Sequence, residues 1–148
     1  MPAMRRVALG LSLVGALLCL VASMRYMTTS EFMPYHAVVA GVQWQQVPSG
    51  LQTIILGMLR ILAGGFAACG LGVAFLSIVA YRGQAWAGYA SAMVGLAVWV
   101  PTIAVTYMLR AAQPSAQPPT AQSLVVLGLV LAGAVLAVLS ARSGASAA

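Results

Sequence analysis

The chain has 148 residues, of which 62% are hydrophobic and 5% charged, and it carries a net charge of +6. Lysine is absent, Glu31 is the sole acid, and all seven positive charges are arginines. Soluble domains devote roughly a quarter of their residues to charge, so this composition excludes a water-soluble fold and makes lipid the expected solvent.

The first apolar segment is Val7 to Ser23, behind Arg5 and Arg6. A basic start before about 17 apolar residues also suits a secretory signal. However, no small-x-small site precedes Met24, and Leu17 and Leu18 before Cys19 break a lipoprotein box. The segment is therefore expected to be a retained first helix. Residues 24–49 form one long connection that holds Glu31, His36 and Trp44. Ser30 can cap a short helix running through Pro34 toward Val39, with Gly41 as its stop. Tyr35 and Trp44 suit a headgroup-level belt.

The second segment runs from Leu51 to Ala80, with Ser49 and Gln52 as a capping-box start. As a helix it would measure about 45 Å, against a hydrocarbon core of about 30 Å. Either its first ten residues protrude beneath the 24–49 connection, or the helix tilts strongly. The third segment, Trp86 to Leu109, contains Pro101, which removes a backbone bond and favours a kink. A Pro-rich spacer, residues 111–120, leads to the fourth segment, Leu124 to Ala141. The expected fold is all-α: one membrane domain, 1–148, of four spanning helices with a short interfacial helix between the first and second. The arginines read as topology signals scattered at segment ends, which disfavours nucleic acid as a partner. With both termini cytoplasmic, Arg5, Arg6, Arg82 and Arg142 face inward while Arg25 and Arg110 face outward.

Because lipid tails are as apolar as leucine, helices associate through close approach at small residues. Gly64, Ala68 and Gly72 make such a stripe, as do Gly88 with Ala92, and Ala87, Ser91 and Gly95. The last segment offers Gly128 with Ala132, and Gly133 with Ala137. More than one small face per helix also permits a homo-oligomer or a larger membrane complex.

Arg60 lies inside the second apolar run, beside Leu56, Gly57 and Gly64 on a helix. Three readings fit it: snorkelling to headgroups, a buried ion pair, or an anion or lipid-headgroup site. Glu31 is expected to fold back onto Arg60, since each is otherwise an unpaired charge near lipid. His36 follows Met33 by three residues, and Met24 and Met27 share that spacing. Thioether and imidazole ligands suit Cu(I), although methionine at an interface is more ordinarily a gap-filler.

Missing residues exclude several activities. The single histidine lies outside the apolar runs, against a haem with axial ligands in the helices. Cys19 and Cys69 stand in separate runs without a CxxC, so spacing suggests neither a redox pair nor zinc, and each reads as a small packing residue. One acid cannot supply a carboxylate metal cluster or an intramembrane proton site, and no GxSxG occurs. No catalytic residue and no cofactor are expected.

The stretch SEFMPYHAVVAG followed by PSGLQTIILGMLRILAGG resembles a pattern in small bacterial membrane proteins with four predicted helices, over residues 26–65. The resemblance implies the four-helix layout and a single unit joining the Glu31–His36 connection to Arg60; it implies no named activity. The expected role is a non-enzymatic accessory or scaffold protein of a bacterial inner membrane. The alternative is a small transporter or channel with an Arg60-lined anion or headgroup path.

Overall fold

The computed structural model describes residues 2–145. Its helices are α1 (Pro2–Thr28), α2 (Pro34–Ala40), α3 (Ser49–Tyr81), α4 (Ala85–Ala112) and α5 (Thr120–Ala145), with a 3-10 turn at Trp44–Gln46 between α2 and α3. The described residues contain no strand. Four helices (α1, α3, α4 and α5) are long and apolar enough to cross a membrane. Each runs past its apolar window, because a helix satisfies its own backbone polar groups at whatever depth it lies.

α1 packs on α3 and α5, and α4 closes the ring by packing on the same two helices. Cys19 lies against Cys69, Gly95 against Val130, and Gly133 against Ala8 and Ser12. Neighbours therefore run antiparallel, up-down-up-down. The buried centre is Ala16, Cys19, Phe66, Cys69, Val73, Trp99, Val126 and Val130.

Close approach falls at particular glycines. A Cβ on Gly70 would sit 2.9 Å from the Ala16 carbonyl oxygen, and one on Gly133 2.1 Å from Ser12 Oγ. Gly88 and Gly95 are similarly tight against Val138 and Val130. The expected α3 stripe is corrected: a Cβ on Gly64 would meet nothing within 4 Å, and Ala68 is exposed. The face of α3 that packs is Leu59, Ala63, Phe66, Cys69, Gly70 and Val73. Gly128 is likewise open.

The short helix starts later than Ser30. Met33 is its N-cap, at φ −63° and ψ 150°, and Pro34 is its first residue. A proline forces the preceding residue into extended backbone, so no helix can run through 33 into 34. Gly41 ends α2 at φ 67°, the left-handed conformation glycine takes without cost. α4 stays helical from Ala85 to Ala112 with Pro101 inside.

Candidate functional site: a cleft beneath α2

The bundle is unevenly filled. At the end beneath α2, the helices part around an open cleft of about 910 Å³, within the range that holds a drug-sized ligand. The cleft opens where α1 and α4 stand diagonally across the ring. Ala22, Leu59, Leu62, Val105, Leu109 and Val126 supply apolar wall.

Its deep end is aromatic. Phe66 stacks on Trp99 with centroids 5.1 Å apart and meets Tyr26 edge-on at 5.6 Å. The Trp99 indole N–H is buried beside the Cys19 and Cys69 sulfurs. The nearby hydroxyls are already committed: Thr102 Oγ1 donates to the Val98 carbonyl at 2.7 Å and Thr106 Oγ1 to Ile103 at 2.8 Å.

Its rim is polar. Arg25 from the last turn of α1 lines it, with Gln117 and Gln122 opposite and Tyr35 and His36 above. The Tyr26 and Tyr35 hydroxyls are 2.7 Å apart, tying α2 to α1. Burial and the Tyr26 hydroxyl push the Tyr35 phenol up, so it remains protonated. His36 Nδ1 accepts the Met33 N–H at 3.3 Å, and burial lowers the imidazole below its ordinary range. His36 is therefore neutral at pH 7. No acid lines the cleft, and its one charge is the Arg25 guanidinium.

The residues singled out from the sequence do not assemble as one site. Arg60 and Glu31 are both exposed, no ion pair joins them among the described residues, and neither lines the cleft. Cys19 Sγ and Cys69 Sγ lie 3.9 Å apart, and Arg60 and Thr28 each stand nine residues from that contact in the same direction. At equal rise per residue, Arg60 is level with the last residue of α1. The first turns of α3 extend beyond it, where Gln52 Nε2 donates to the Trp44 carbonyl at 2.9 Å. Met33 and His36 line the cleft, whereas Met24 and Met27 are exposed on α1. Among the described residues no three of His, Cys, Asp and Glu cluster as metal ligands.

Two features escaped sequence reasoning. In the sequence Arg25 reads only as a topology signal. The cysteines, 50 positions apart, lie side by side as buried free thiols across α1 and α3, a juxtaposition that spacing does not show. Only the antiparallel register brings them together. Comparison with protein-family models, with curated proteins and with solved structures gives no match for this chain.

Proposed function

We propose that this is a non-enzymatic accessory protein of a bacterial inner membrane that holds an amphiphile with an anionic head in the cleft beneath α2. In this reading both termini are cytoplasmic, α2 lies at the outer headgroup level, and the apolar tail enters between the helices toward Trp99. The observation that carries it is the pairing of a deep apolar cleft, with Phe66 and Trp99 among its lining, with a rim whose single charge is Arg25. A headgroup site was expected at Arg60; the support now lies with Arg25, because Arg60 stands outside the cleft.

The test is native mass spectrometry of the protein released from nanodiscs of mixed anionic and zwitterionic lipid. Wild type should retain one anionic amphiphile. Ala22→Phe, which fills the cleft, should lose it, and Arg25→Gln should lose the preference for anionic heads. Retention of the same species by both variants would remove the proposal.

A further inference from the structure

The cleft beneath α2 restricts the chemistry of the head it can take; this step rests on the cleft holding an amphiphile, as proposed above. Arg25 is the only charged residue of its lining, and Tyr35 and His36, both neutral at pH 7, add none. No Asp or Glu lines it, and the chain's sole acid, Glu31, is exposed outside it. A phosphate therefore finds a guanidinium, whose fork of N–H donors matches phosphate oxygens. An ammonium group finds no carboxylate and meets the like charge of Arg25 instead. Gln117 and Gln122 complete the rim, and neither side-chain amide has a hydrogen-bond partner among the described residues. A primary amide both donates and accepts, which is the complement of a hydroxyl.

The depth of the cleft sets the tail. On α1 the lining runs from Arg25 to Leu18, seven residues or about 10 Å, and on α4 from Leu109 to Trp99, ten residues or about 15 Å. One leaflet has a hydrocarbon depth of about 15 Å, half of the core. The apolar walls thus match the tail of an upright lipid from a single leaflet, with the stacked Phe66 and Trp99 rings at the deep end. We propose that the cleft selects an outer-leaflet glycerophospholipid whose head carries a phosphate and free hydroxyls but no ammonium group, the class of phosphatidylglycerol. Phosphatidylserine is the stringent competitor. It offers Arg25 the same phosphate and a carboxylate besides, so only its ammonium and its missing hydroxyls count against it.

The experiment is native mass spectrometry of the full-length protein released from phosphatidylcholine nanodiscs holding equal parts of phosphatidylglycerol and phosphatidylserine with identical tails. An exposed charge contact changes binding by a few-fold, so phosphatidylglycerol should be retained about three to five times more than phosphatidylserine. Gln122 is exposed, and Gln122→Glu puts a carboxylate on the rim, which should bring that ratio to about one. Gln113→Glu makes the same change outside the cleft and should leave the ratio as in the wild type. A wild-type ratio near one, or a ratio that Gln122→Glu does not move, overturns the selectivity while the anionic cleft stands. Retention of neither lipid overturns both. Excess soluble glycerol phosphate should leave the bound lipid in place; displacement by it would make this a site for free phosphate esters and overturn the lipid.

Discussion

At the scale of single residues, His36 is the group whose charge can change near neutral pH. It packs edge-on against Tyr35, with centroids 4.3 Å apart, and burial lowers its proton affinity in the folded state. The unfolded chain therefore binds the proton more readily. Stability is full above the ordinary histidine range, near pH 6.5, and is lost as pH falls through the lower folded value. Thermal midpoints measured between pH 7.5 and 5 should decline, and His36→Asn should flatten the decline; an unchanged slope would show that His36 is solvated. Glycine substitutions separate packing faces in the same way. Gly133→Ala drives a Cβ onto Ser12 Oγ and the Ala8 carbonyl, and overpacking of that kind costs about 1–3 kcal/mol. Gly64→Ala meets open space and should gain up to about 1 kcal/mol of helix propensity. Equal effects of the two on the unfolding midpoint would contradict the packing assigned to α1, α3 and α5.

At the scale of elements, the contact between α1 and α3 has a chemical reporter. The two buried sulfurs stand 3.9 Å apart, beyond the roughly 2.05 Å of a disulfide but within reach of a small rotation about χ1. Treatment with diamide, which takes up both hydrogens, should close an intramolecular Cys19–Cys69 bond, read as a mass lower by two hydrogens and as linked peptides. Cys19→Ser should prevent it. Exclusively intermolecular linkage would mean that α1 and α3 are not neighbours in one chain. The pair also shows where the sequence stops informing. Apolar runs locate the four long helices because length and hydropathy are local properties. Which face of a helix points inward is not local here, since lipid and core are equally apolar and the hydrophobic pattern carries almost no period. Gly64, Ala68 and Gly72 suggest one packing face of α3, whereas the row through Leu59, Ala63 and Phe66 is the buried one. The cleft was hidden for the same reason: it arises from how α1 and α4 stand apart across the ring. Ser91 is legible only as a small residue, because the residues that line the small cavity beside it come from three other helices.

At the scale of the whole molecule, orientation rests on few charges. Arg5, Arg6, Arg82 and Arg142 gather at the end of the bundle where α1 begins, while Arg25 and Arg110 lie toward the other. Arg60, level with the end of α1, joins the second group, so the bias is four against three rather than four against two. Positive residues near helix ends set topology by their difference between sides, and a difference of one is weak. Arg6 and Arg82 are both exposed, so replacing them removes charge without disturbing the core. The double variant Arg6→Gln, Arg82→Gln reverses the count and should place a C-terminal reporter on both sides of the membrane, where the orientation proposed for the wild type places it on the cytoplasmic side alone. Arg60→Gln should have the opposite effect: added to the double variant it levels the count at two against two and should return part of the reporter to the cytoplasmic side. If reporters at the C-terminus do not respond to either change, arginine counting is not what orients this chain, and the assignment of α2 and its cleft to the outer face loses its basis.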